Sequence, residues 1–387
     1  MMNILRKLIA CAIMMTLLAL TGAPASVKAE EGEASRVVIR CLGDFIIHDP
    51  LLQAAQTADG GYDFYQMIAP VADLIADADF TVANVDGTIG ASDVYTGYPL
   101  FNSPVALLDA LQEAGVDMLT LANNHALDSE YEGLITQMNL LDARGMAHIG
   151  TARTQEESDS PYVREINGIR IGFLNYTTHA NGRENSCGKD AATFGLNLVF
   201  KNADFEGDAQ ALRDAGAEVI VAFMHWGTEY DRTEHEEQRV LTTRLARAGV
   251  DIVVGGHPHA IQRINWREAT RTHDGGKQRT LVCYSRGNFL SNQQSRYQNC
   301  GIIFEFTLEK DENGNITVQS PGYIPIFVWR EELKNGYSYQ VLASERALNN
   351  APEGMSKEVL SWIRTSWNDT ISHLSTKSSA ADCIHVE

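Results

Sequence analysis

The sequence predicts an α/β fold, and three observations carry it. Apolar runs of strand character recur, each bounded by turn residues; helix-period stretches lie between several of them; and two hairpin signals follow in the second half. The sheet is expected to be mixed, or two sheets are expected to pack together between helices.

The elements follow in chain order. Arg6 and Lys7 precede thirteen uncharged residues, Leu8–Leu20, and small-residue sites follow at Ala23-Pro24-Ala25 and Val27-Lys28-Ala29. That order reads as a secretory signal over residues 1–29, and thirteen residues are short of the roughly 20 a membrane span needs. An uncleaved anchor is the alternative. Strands are expected at 37–42, 80–84, 118–122, 219–225, 250–255 and 281–284. Helices are expected at 64–76, 104–114, 131–143, 209–215 and 236–248. Pro104 at a first turn and Gly115 beyond an end are consistent helix punctuation. Asn167-Gly168 joins 163–166 to 169–174 as a hairpin, and an acidic turn with Asn313-Gly314 joins 302–308 to 316–319. Residues 331–349 are polar, and 357–374 has helical spacing that carries Trp362 and Trp367. The chain is therefore divided into a signal (1–29), a main domain (30–330) and a C-terminal helical extension (331–387), whose last residues, 375–387, are expected to be loose.

Composition narrows the function. Of 387 residues, 44% are hydrophobic and 21% charged, which is globular. Loss of residues 1–29 removes three basic residues and no acids, and takes the net charge from −19 to −22. Such a chain is repelled by nucleic acid and by anionic membranes. An acidic polymer would need a local positive centre, such as a metal. Five cysteines remain after position 29, so at least one is unpaired within a monomer. Cys41 and Cys283 fall in strand-like runs as buried thiols. A Cys187–Cys300 or a Cys300–Cys383 disulfide is compatible with an oxidising compartment.

The residues of chemical interest sit at strand ends. The first strand runs into Gly43-Asp44, with His48 four residues on; the second into Val85-Asp86; the third into Asn123-Asn124-His125, with Asp128 a turn later. The fourth runs into His225–Glu229 and the fifth into Gly255-Gly256-His257-Pro258-His259. Singly these motifs are weak: Gly43-Asp44 reads as a turn, His225 as a core histidine, and Asn123-Asn124 as a helix entry. Pro258 biases His257 towards extended backbone, which would set His257 and His259 on one face. Ligands of open α/β sheets bind at carboxyl strand ends, and five strands delivering Asp, Asn or His there are a stronger signal than any one. A closed zinc site needs four donors. Six or seven donors of mixed imidazole and oxygen type suit two divalent ions (Mn, Zn or Fe) that activate a water and clamp a tetrahedral or phosphoryl centre.

These segments, with Ala83–Asp86, Leu121–Asp128, His225–Tyr230 and Tyr284–Phe289, resemble the CapA family of capsule, or poly-γ-glutamate, biosynthesis proteins, over about residues 36–330. The resemblance implies a metallophosphatase-like (calcineurin-like phosphoesterase) fold: a four-layer α/β/β/α sandwich, here with a C-terminal helical appendage. It also implies an extracytoplasmic place, secreted or tethered through the N-terminal segment. A poly-γ-glutamate-like anionic polymer or a phosphoester is the implied substrate, and a membrane capsule-synthesis complex the implied partner. By the same resemblance, Asp44 and His259 would hold a first metal, Asp86 would bridge, and Asn124, His225 and His257 would hold a second. His125 would be the general acid, oriented by Asp128. Glu229 and Asn288, in the matching segments, are further candidates to meet substrate, and Arg286, a departure from the family pattern, is a candidate to meet an anionic substrate group. The chain departs from the pattern in three places: it lacks a D-x-H spacing after the first strand, Asp86 stands where Glu is usual, and Arg286 stands where an apolar residue is usual. A dinuclear hydrolase, a non-catalytic polymer-binding scaffold and a general extracytoplasmic phosphoesterase are the readings these features support.

Overall fold

Alternation in the Ser35–Phe45 strand sets the layering: Val37, Ile39 and Cys41 enter one core, while Leu42 and Phe45 enter another. A strand that is apolar on both faces must lie inside a sandwich. The computed structural model describes residues 34–319, 321–377 and 381–386. The expected signal, residues 1–29, lies outside them.

Two large sheets form the middle. The first runs in the order Gly336–Ala343, Gly322–Leu333, Cys300–Lys310, Ser35–Phe45, Phe80–Val85, Met118–Thr120, Ala147–Ile149, with short strands added at Asn288–Leu290, Ile316–Val318 and Asp382–Cys383. The second runs Ile264–Thr270, Lys277–Cys283, Ile252–Gly256, Val219–His225, Ile169–Thr177, Val163–Ile166. Both are mixed: the first is parallel from Ser35–Phe45 to the Ala147–Ile149 edge and antiparallel on its other side, and the second has a parallel centre with antiparallel edges. Between them Ile39, Cys41, Phe304 and Phe306 face Ile171, Phe223, Val254 and Leu281. Outside the first sheet, Ala83, Val85 and Leu119 pack under Ala106–Glu113 and Glu130–Arg144 through Leu108, Leu111, Leu134 and Met138. Outside the second, Ile220, Ala222 and Val253 pack under Phe205–Asp214 and Glu236–Ala248. This is the expected four-layer α/β/β/α sandwich.

Local differences have local causes. The stretch expected as one helix at 64–76 is interrupted by a 3-10 turn at Ala69–Val71, because Pro70 has no N–H to donate. The helix expected at 131–143 forms as Glu130–Arg144, and a run of turns, not a helix entry, follows Asn123-Asn124. The Asn167-Gly168 hairpin forms as expected, both residues having positive φ, 45° and 78°. All five described cysteines are free, so neither suggested disulfide forms.

The C-terminal part differs most. Strand Gly322–Leu333 runs past position 330, and Gly336–Ala343 pairs with it along its length, so the main sheet continues into the region expected to be a helical extension. Tyr339, Val341 and Ala343 alternate into the helix-side core, a two-residue period within an otherwise polar stretch. Helix Lys357–Lys377 then sets Ile363 and Leu374 against the inner face of this part of the main sheet, with Tyr323, Phe327 and Trp329. Residues 381–386, expected to be loose, instead add the strand Asp382–Cys383 beside Gly322 and Tyr323. Ile384 lies over Gly322, where a Cβ would come within 2.5 Å of it.

Because Ile363 and Leu374 are fully buried, Ile363→Ala is expected to lower unfolding stability by ~2–5 kcal/mol. Chemical denaturation would check it, and a loss below about 1 kcal/mol would mean that this helix does not complete the core.

Candidate metal centre

The carboxyl ends of the parallel strands of both sheets converge on one edge. In the first sheet Asp44 is in register with Asn84 on one side and Asn288 on the other. Gly43 lets that approach happen, since a Cβ there would lie 2.4 Å from Gly287 O. Across the sandwich, Gly256 ends its strand directly against this row, where a Cβ would lie 2.7 Å from Asp44 Oδ1. Asn175 ties the sheets together: its Oδ1 accepts the Ala122 N–H at 2.7 Å and its Nδ2 donates to Phe223 O at 3.3 Å. That bond fixes the start of the turn bearing Asn124 and His125.

Asp44 and Asp86 are buried beside each other, and the Asn84 amide donates to both, at 2.8 and 2.7 Å. Asp44 Oδ2 also accepts the His257 N–H at 2.9 Å and lies 3.5 Å from His259 Nδ1. Burial opposes ionisation of Asp44, but His259, His225 and Arg286 outweigh it and hold this carboxyl below its usual range. Burial and the Asp44 charge push Asp86 up to about 7. Burial would lower His259, yet Asp44 and Asp86 raise it. His225 is driven well down by burial and by His257, and His257 to about 3 by burial, His259 and His179. Both are therefore neutral near pH 7, the form that ligates metal.

The H-P-H triplet is not extended as Pro258 suggested. His257 has φ 94° and His259 φ 53°, so a tight turn carries both, with ring centroids 5.9 Å apart. Positive φ is strained for histidine. The His257 N–H bond to Asp44 and the Tyr230 N–H bond to Pro258 O, 2.6 Å, hold it in place.

The remaining residues sort clearly. His225 Nε2 lies 2.8 Å from Asn124 Oδ1 and 3.8 Å from Asp86 Oδ1. Asn123 is a turn residue: its Oδ1 accepts the His125 N–H at 3.0 Å and its Nδ2 donates to Val85 O at 2.9 Å. His125 Nδ1 is 2.8 Å from Asp128 Oδ2, which also accepts the Phe101 N–H at 2.7 Å. Phe101 stands edge-on to the His125 ring at 4.7 Å. Glu229 is exposed, and its carboxylate and ring nitrogens of His257 and His259 lie within 4.8 Å of one another, so it borders the ligand cluster. Arg286, expected to meet substrate, is instead buried behind Asp44. Asn288, with the same expectation, is also buried, donating to Gln293 Oε1 and Gln298 O. Three residues not assigned from sequence belong here. Asn84 binds both carboxylates, His179 packs 5.3 Å from the His257 ring, and His48 packs 5.5 Å from Phe101. Asn84 lies within the quoted Ala83–Asp86 run and His48 four residues after Asp44, so both have a local signal; His179 has none.

The donor set fits divalent metal. Ligand atoms of Asp44, Asp86 and His259 lie within 4.8 Å of one another. Asp86 Oδ2, His257 Nδ1, His259 Nδ1 and Asn288 Oδ1 are buried without a hydrogen-bond partner. Polar atoms left so are costly unless something ligates them. A separate cavity of about 420 Å³, lined by His148, Asn175, Tyr176 and Asp208, includes none of these ligands.

Comparison with known proteins identifies a family and sequence relatives. The family model described as "Bacterial capsule synthesis protein PGA_cap" matches residues 38–293. The chain is 27% identical over 186 residues to the capsule biosynthesis protein CapA of Bacillus anthracis, covering 48% of this chain and 42% of that protein. It is 26% identical over 211 residues to the PGA biosynthesis protein CapA of Bacillus subtilis (strain 168), covering 54% and 51%. The chain thus spans about half the length of the curated relatives it matches. Among solved structures, the NAD nucleotidase of Haemophilus influenzae aligns at 11% identity with TM-score 0.47, over 92% of this chain and 65% of that one.

Asp86 gives the site a pH signature in metal-free protein. Its folded value of about 7 lies above the ~3.9 of an unfolded Asp, so the folded state holds the extra proton between them. Stability contributed by this group therefore falls as pH rises from about 4 to 7. Asp86→Asn is expected to raise the melting temperature in chelator at pH 8 and to change it little at pH 4. An equal effect at both would locate the cost elsewhere.

Proposed function

The chain belongs to the family of bacterial capsule synthesis proteins, and from that premise we propose that it is an extracytoplasmic, metal-dependent hydrolase of anionic-polymer assembly. Its substrate is a phosphoester or an acidic polymer end, of poly-γ-glutamate type. The observation that carries this reading is the buried Asp44–Asp86–His259 group meeting His225 and Asn124, with the His125–Asp128 pair beside it.

Asp44, Asp86 and His259 on one side, and Asn124, His225 and His257 on the other, would hold two divalent ions (Mn, Zn or Fe), with Asp86 between the groups. Bound ions supply hydroxide near neutral pH and positive charge for the substrate's oxygens. This answers the overall charge: a chain at −19 attracts an anion only through a local cationic centre. The protein's own groups do the rest. With Nδ1 committed to Asp128, His125 has Nε2 for donating a proton to the leaving oxygen. Asp128 is itself fixed by the Phe101 N–H, so it orients the ring and stabilises the imidazolium. Phe101 limits rotation of His125 from the edge.

His125→Ala is expected to lower phosphoester turnover by roughly 10²–10⁴-fold while retaining metal. His225→Ala is expected to lose both. Metal analysis of the purified chain, with phosphoester and poly-γ-glutamate hydrolysis assays, would check this. Polymer retention by a metal-free, inactive protein would instead identify a scaffold, and phosphoester turnover without polymer binding a general phosphoesterase.

A further inference from the structure

Arg286 is a cation buried in this site without a ligand's role. Its side chain is 3% exposed. Nε donates to Gly255 O at 3.1 Å, Nη2 lies 3.9 Å from Asp44 Oδ1, and Nη1 is buried without a partner. A Cβ on Gly256 would lie 3.0 Å from Nη2, so the bare glycine lets the guanidinium come this close. Around it lie the Cys41 and Cys283 thiols, both buried; burial pushes both up, and the Arg286 charge acts in the opposite direction. Among the described residues, Asp44 is the carboxylate within ion-pair distance of it. A guanidinium does not give up its proton in a protein, so this charge is permanent.

The consequence is one of charge. Once ligating, Asp44 and Asp86 supply two negative charges, and the resident Arg286 cancels one of them. A first divalent ion already leaves the cluster net positive, and a second must enter against that charge where water screens little. Resting on the metal-centre reading, we propose that Arg286 is a resident cation that weakens divalent-ion binding at the Asp44 side. The centre then holds one ion tightly, at the end formed by Asn124, His225 and His257, and a second only weakly.

The test is calorimetric titration of the full-length, chelator-stripped protein with Mn²⁺, paired with bound-metal analysis. Wild type is expected to take one tight equivalent and one weak. Arg286→Met, which keeps length but not charge, is expected to tighten the weak equivalent at least tenfold and to show a larger rise in melting temperature on adding Mn²⁺. Arg286→Lys, which keeps the charge, is expected to stay near wild type. Should the Met variant fail to fold, Arg286→Gln provides the uncharged comparison. Two equal equivalents in both wild type and the uncharged variant would overturn the inference while leaving the metal centre standing. So would a Lys variant that tightens as much as the Met variant, since packing would then be the cause. No Mn²⁺ binding by any of these proteins would overturn both the inference and the metal-centre reading.

Discussion

Two buried carboxylates share one amide, and the rest of the site is arranged around that. Asp44 and Asp86 cannot both ionise at low cost next to each other without cations nearby. Asn84 spreads one NH2 group across the pair, His259 and Arg286 approach Asp44, and His225 approaches Asp86. Each of these neighbours arrives from a different strand end. The sandwich must therefore bring both sheets into contact at their carboxyl edges, and Gly256 and Asn175 are where that contact is made.

The arrangement is costly as a fold and useful as a site. His257 and His259 occupy positive φ, Asp86 is held as a carboxyl far above its ordinary range, and several buried polar atoms go without partners. Strain and unmet polar groups concentrated in one place are usual where a protein holds a ligand. The two sheets and their helix layers supply the stability that offsets them. The added C-terminal strands and helix extend this frame by covering the far inner face of the larger sheet.

Much of this was legible in the chain. Helix Glu236–Ala248 and strand Val219–His225 fall at the positions their periodicity indicates, because a clean apolar period leaves little else for the backbone to do. Asp44, Asp86, Asn124, His225, His257 and His259 meet because each ends an apolar run, and parallel strands present such ends together. Strand Gly336–Ala343 was hidden since tyrosines and serines alternate in it as easily on a surface as in a sheet.

The sequence by itself determined the layered α/β plan and the types of side chain delivered to one edge, since both depend on local periodicity and turn chemistry. Only the tertiary structure decided which atoms meet. It curled the H-P-H triplet into a tight turn against Asp44, buried Arg286 behind that carboxylate, and brought His179 to His257 from the loop after strand Ile169–Thr177. Those outcomes depend on how two sheets approach within a few ångströms, a distance set by bare glycines and shared hydrogen bonds that no single segment carries.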